Sequence, residues 1–185
     1  MSYLDNLGSI AVDFMQTDSD GMVADGMLII NKPYKFRCNY YPPFPLLIVG
    51  NQKSIAIYDY DMHQLSTFHA KDNLLNFLLA VNLELDDHIK VLDVLNSQND
   101  DNEITFFLTS SKYDQKGDIV FDIDTKDVKK ITIYEQNKII SLDFDKVHHI
   151  KNINDQLFKI KNPDVFGPPT RLNKDKIQTL YTILN

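Results

Sequence analysis

Residues 27–41 read MLIINKPYKFRCNYY, and the fold turns on how this stretch is divided. Pro33 has no N–H for a strand ladder, so it separates one apolar strand, Met22 to Asn31, from a second, Lys35 to Tyr41. Side chains alternate along a strand. Phe36, Cys38 and Tyr40 therefore share one face, and Lys35, Arg37 and Asn39 the other. The first set fits an ordinary sheet core and the lining of an apolar cavity equally well, while the second set is expected to face solvent.

Downstream, Pro42, Pro43 and Pro45 end the second strand. Leu46 to Gly50, Ser54 to Tyr60 and His63 to Ala70 then continue a meander of short strands. Upstream, Leu4, Leu7, Ala11 and Phe14 recur at helical spacing, which predicts an amphipathic helix over Tyr3 to Met15. The pattern turns helical again at Asn73 to Val81, NLLNFLLAV, and at Asp86 to Leu95, where Ile89, Leu92 and Leu95 form a stripe behind acidic residues suited to a helix N-terminus. Strands return at Ile104 to Ser110, Asp118 to Asp124, Val128 to Glu135, Ile139 to His149 and Gln156 to Lys161, and a short helix is expected at Asn173 to Leu184. Successive strands without βαβ units predict an antiparallel sheet. The expected class is mainly β with α. It is an unclosed antiparallel half-barrel of about ten or eleven strands with helices on its concave face, and a two-sheet sandwich is the other option.

The chain has 185 residues, 43% of them hydrophobic, which suits one domain over 1–185; residues 164–185 form a C-terminal extension whose packing stays open. A net charge of −7 without clustered cations argues against nucleic acid and against docking on anionic lipid through a basic surface. No apolar run is long enough to span a bilayer. The single cysteine, Cys38, excludes an intramolecular disulfide and reads as a small buried hydrophobe. The opening MSYLDNLGSIAVDF lacks the basic and apolar regions of a signal peptide; any such leader is expected to be removed or replaced.

Taken in order, the motifs resemble the outer-membrane lipoprotein carrier family, LolA. Phe14 and Gln16 give F-x-Q, and Asp25-Gly26 leads into the strand before Pro33. Phe36, Arg37 and Tyr40 give F-R-x-x-Y, and Tyr58, Asp59 and Gln64 follow after an apolar strand and a turn. The apolar helix at Asp72 to Leu79 and the strand LFKIKNPDVF complete the series. The resemblance implies a periplasmic carrier that shields the acyl chains of lipoproteins in a hydrophobic cavity, with no cofactor, no metal and no reaction. The implied partners are acylated lipoproteins, an ATP-driven extractor in the inner membrane and an acceptor at the outer membrane, and the carrier is expected to be a monomer. An envelope lipid-binding or lipid-sensing module of the same fold is the alternative.

On this reading Phe14, Phe36, Cys38 and Tyr40 line the cavity, Leu4 lies near the lid contact, and Phe36 also serves the handover of cargo. Leu74, Leu75, Phe77, Leu78 and Leu79 form the lid, joined by Leu92 and Leu95. Lys32 stands where the family has a latch arginine; it keeps the charge but lacks the planar fork. Two further departures are Leu75, where the lid helix often has proline, and Cys38, where the family usually has tryptophan.

Other constellations read as scaffold. Asp59, Asp61 and His63 would share one face of a straight strand, as half of a metal site would need. Ile55 and Ile57 have the same parity, so a turn near Asp61 and a solvated hairpin tip are expected instead. Asp118, Asp122 and Asp124 lack the glycine and compact ligand set of a calcium loop, and His148 and His149 point to opposite faces. No G-x-S-x-G, H-E-x-x-H or P-loop occurs, so no enzyme is expected.

Overall fold

The structure, a computed structural model, describes residues 9–31, 35–51, 53–69, 89–96, 102–110, 115–150, 153–160 and 168. Among the described residues, twelve strands form one antiparallel sheet. The first meander is β1 (Ser9–Asp18), β2 (Val23–Asn31), β3 (Lys35–Tyr40), β4 (Leu46–Gly50), β5 (Ser54–Asp59) and β6 (Gln64–His69). The second is β7 (Ile89–Asn96), β8 (Glu103–Ser110), β9 (Gln115–Asp122), β10 (Val128–Tyr134) and β11 (Ile139–Phe144), followed by the two-residue β12 (His148–His149). The strand order is β6-β5-β4-β3-β2-β1-β11-β10-β9-β8-β7, with β12 also on β1. Thus β1 joins the two meanders, and the sheet is open, with β6 and β7 at its ends. It is one sheet rather than a sandwich.

Two expected helices are strands. Residues 9–15 of the first belong to β1, where Ile10, Val12 and Phe14 alternate and pair with Ile30, Leu28 and Gly26. Ala11 is also buried, on the opposite face, so β1 is covered on both sides. Burial on both faces is what made its short apolar pattern look helical. The stretch from Ile89 is β7, and a bulge at Leu92 breaks its alternation. Ile89 pairs with Ser110 and Leu95 with Thr105, positions of opposite parity on β8, so the spacing of three marks neither a helix nor a shared face. Residues 73–81 and 173–184 lie outside those described.

The strand expected from Gln156 to Lys161 is not seen over its described residues, 156–160: Asp155–Phe158 is a single 3₁₀ turn. The side chain of Asn154 accepts from the Gln156 N–H and starts it. Among the described residues this turn is the only helical element, and it does not lie on the face of Phe36 and Cys38. The expected helices over the concave side therefore have no support.

The hairpins are turned by acidic and amide side chains. Asp18 Oδ1 accepts from the N–H groups of Asp20 and Met22, at 3.0 and 2.9 Å. Asp59 Oδ1 accepts from Asp61 and Met62, and Asp122 Oδ1 from Asp124 and Thr125. Asn51 does the same for Lys53 and Ser54. These are Asx turns, in which a short side chain satisfies backbone donors that leave the ladder. Asp59 is thus held within its turn, as the expected hairpin tip requires.

One of these turns yields a pH prediction. The Lys138 ammonium lies 2.6 Å from Asp18 Oδ2, and with the Met22 N–H it holds the Asp18 carboxyl below its ordinary value. Asp18 in turn raises the Lys138 ammonium. A depressed carboxylate contributes stability above its unfolded pKa and loses it as pH falls through the folded one; a raised lysine contributes below its unfolded pKa and loses it as pH rises through the folded one. Wild type should therefore exceed Asp18→Asn in stability at neutral pH, with the gap closing on the acid limb below the ordinary carboxylate range. Urea unfolding across pH measures it, and a gap that persists at low pH would refute the assignment.

Candidate functional site

The alternation at 35–40 divides the sheet as its sequence predicts. Ile10, Val12, Phe14, Leu28, Phe36, Cys38, Ile48 and Ile55 are buried in one apolar cluster. It continues across the second meander through Leu108, Ile119, Phe121, Ile131, Ile133 and Leu142. One face of nearly the whole sheet is therefore a continuous apolar surface.

Two of its aromatic residues, Phe14 and Phe36, are seated on glycines. Phe14, Gly26 and Tyr40 stand abreast on three strands. The rings of Phe14 and Tyr40 meet edge to face at 5.2 Å, and a Cβ on Gly26 would run into the Phe14 ring. Phe36 pairs with Gly50 across β3 and β4, and a Cβ there would strike its ring. A glycine opposite an aromatic residue lets the ring lie along the sheet. Phe36 is 1% exposed. Phe36 is thus packed into the core on this face.

Tyr40 and Gln16 supply the polar end of this face. The Tyr40 hydroxyl donates to Gln16 Oε1 at 2.7 Å. Burial pushes the Tyr40 hydroxyl far up, with Cys38 beside it adding to the shift, so the hydroxyl stays neutral. Burial likewise pushes the Cys38 thiol far up, which leaves it without thiolate reactivity.

The opposite face is not left to solvent. Ala11, Met27, Ile29, Tyr41, Leu47, Val49 and Tyr58 form a second cluster that includes Phe158 of the 3₁₀ turn. Lys35 Nζ pairs with Asp155 at 2.7 Å. The Arg37 guanidinium donates to the Leu157 carbonyl at 3.0 Å and to Asn39 Oδ1 at 3.1 Å. Residues 153–160 thus strap the outside of the first meander, and Lys35 and Arg37 hold the strap. No sequence signal marked this role, because the strap touches β3 from 120 residues away.

Of the expected site residues, the structure brings together Phe14, Phe36, Cys38 and Tyr40. Leu95 instead lies on an end strand, 50% exposed, and Leu92 falls at the β7 bulge. Leu4, Lys32, Leu74, Leu75, Phe77, Leu78 and Leu79 lie outside the described residues. The metal candidates have structural partners: Asp118 accepts from the Tyr134 hydroxyl, whose pKa it helps push up to about 12. His149 Nε2 lies 2.8 Å from Asp127. Among the described residues, no group of three potential ligands converges, and no helix is long and apolar enough to cross a membrane.

One unclosed antiparallel sheet with a continuous apolar face defines a LolA-like fold. The comparisons carry this to a family. Residues 5–161 match the family of the outer membrane lipoprotein carrier protein LolA, and the chain belongs to it. It is 41% identical over 182 residues to an uncharacterized protein of Rickettsia prowazekii (strain Madrid E), covering 98% of this chain and 84% of the relative. An outer-membrane lipoprotein carrier protein of Nitrosospira multiformis is 34% identical over 70 residues, 35% of this chain and 34% of that protein. A LolA superfamily protein from Nitrosomonas europaea has a similar structure, with a TM-score of 0.51 at 11% identity over 85% of this chain and 96% of its own. Proteins of this family are periplasmic binding or carrier proteins rather than enzymes.

Proposed function

We propose that this protein is a periplasmic carrier that holds the acyl chains of lipoproteins against the first face of its sheet and delivers them from the inner to the outer membrane. The observation that supports the reading is the continuous apolar cluster from β5 to β8 on one face of an open sheet, in a chain of the LolA family. The work of such a protein is transfer without catalysis. Its partners on this reading are acylated lipoproteins, an ATP-driven extractor and an outer-membrane acceptor, and it acts as a single-domain monomer without a cofactor. Phe14, Cys38 and Tyr40 lie beside the acyl chains, and Phe36 shapes the floor beneath them.

Energetics constrain such a carrier. A fully buried acyl chain of about 16 carbons gains roughly 13 kcal/mol at about 0.8 kcal/mol per CH₂. Three chains would exceed the practical ceiling of about 18–21 kcal/mol for non-covalent binding. Cargo that must leave again is held at a discount, through incomplete enclosure and through apolar contacts that the empty protein makes with itself.

Native mass spectrometry of the protein purified from a membrane-containing lysate tests the reading. Lipidated peptide cargo is the expected result. Free lipid alone would instead make this an envelope lipid-binding module, and a protein with no bound species would overturn both readings.

A further inference from the structure

The apolar face is not uniform along its strands. On β1, Ile10, Val12 and Phe14 are 0, 1 and 4% exposed, and Gln16 is half-buried. On β3, Phe36 and Cys38 are buried and Tyr40 is half-buried; on β5, Ile55 is buried and Ile57 half-buried. The register aligns the trends of β1, β3 and β5, since Phe14, Gly26 and Tyr40 lie in one row and Gln16 lies one step nearer the β1–β2 turn; β2 between them differs, with Ile30 half-buried and Leu28 buried. The second meander runs the other way: Leu108, toward the same end, is more buried than Ile104 and Phe106. Access to the apolar face therefore lies over the first meander, at the end carrying Gln16 and Tyr40.

Between them these two residues have more hydrogen-bonding capacity than they use. Tyr40 donates its one proton to Gln16 Oε1, which fixes the carboxamide. The two N–H donors of Gln16 have no partner among the described residues, in a half-buried position beside an apolar face. Partly buried donors gain from a carbonyl that replaces the water they lose. An acyl chain brings such an acceptor: the ester or amide carbonyl that joins it to its head.

We propose that Gln16, positioned by Tyr40, forms a polar rim at the open end of the apolar face and donates to the ester and amide carbonyls at the head of an acylated polypeptide. The inference rests on the carrier reading and adds a direction to it. Hydrocarbon tails lie toward Ile10, Phe36 and Ile55, and the polypeptide leaves past the β1–β2 turn. Tyr40 is a positioning residue here, since it acts through the carboxamide.

The test compares two probes on the full chain, a synthetic triacylated cysteinyl peptide and N-phenyl-1-naphthylamine, an apolar dye without a carbonyl. Gln16→Met should weaken peptide binding by about 3- to 10-fold, one ordinary hydrogen bond, and leave dye binding unchanged. Gln16→Glu, which keeps the shape but offers no donors when ionised, should lose at least as much and serves if the methionine variant folds poorly. Tyr40→Phe should lose less, again with the dye unchanged. Peptide affinity unchanged in both Gln16 variants, or peptide and dye affinity falling together, overturns the rim. If wild type binds the dye but not the peptide, the carrier reading fails and the rim fails with it. If wild type binds both and both Gln16 variants bind the peptide as wild type does, the rim alone is lost.

Discussion

Phe36→Ala should destabilise the protein by about 3–5 kcal/mol, the usual cost of removing a buried ring, and Gly50→Ala should cost about 1–3 kcal/mol for overpacking at the same place. The two changes should not add. The ring of Phe36 occupies the space a Cβ on Gly50 would need, and the pair faces across adjacent strands. In Phe36→Ala that space is empty, so the methyl of Gly50→Ala finds room. A double-mutant cycle by urea unfolding should show the second substitution costing well under its value in wild type. Additive losses would mean that the ring is not seated on Gly50. Phe36→Glu, which a cavity-lining role would let the fold survive, should instead leave little folded protein, because a carboxylate in this packed seat has neither water nor a partner.

The seat also shows what could be read from the sequence. The alternation of Phe36, Cys38 and Tyr40 against Lys35 and Arg37 was legible, because Pro33 and the prolines after Tyr41 frame a clean period of two. The order of the first meander followed from the same punctuation. β1 was not legible as a strand, because Ala11 is covered by residues far along the chain while Ile10 and Val12 are covered on the other side. A strand buried on both faces loses the polar half of its alternation. β7 was hidden by its bulge, a feature of pairing that a single strand does not display. Cavity and core residues share one alphabet of apolar side chains, so sequence could place Phe14, Phe36, Cys38 and Tyr40 on one face without separating floor from lining. The glycines opposite Phe14 and Phe36 make that separation, and they become partners only once the register is known. The Gln16–Tyr40 bond was hidden for a related reason: its two motifs were read on a helix and a strand, and only adjacent strands bring them together.

The strap should prove as important to stability as the face it lies behind. Phe158→Ala should cost about 3–5 kcal/mol, although it alters no residue of the first face. Phe158 is 6% exposed and belongs to the second cluster with Ala11, Ile29 and Val49. The Arg37 guanidinium fixes the same turn through the Leu157 carbonyl, and a charged donor of this kind is worth about 1.5–3 kcal/mol. Arg37→Met keeps much of the stem and removes the donors, so it should lose that smaller amount. Lys35→Met, which breaks only the exposed pair with Asp155, should lose under about 1 kcal/mol. The order Phe158, Arg37, Lys35 is the specific expectation, read by urea unfolding at neutral pH. Dye binding per folded molecule should stay at the wild-type level in all three variants, because the strap lies on the far side of the sheet. A Phe158→Ala loss below about 1 kcal/mol would mean that the strap rests on the sheet without holding it. A matching loss of dye binding would mean that the two faces are coupled through β1, the strand that contributes Ala11 to one cluster and Ile10 and Val12 to the other.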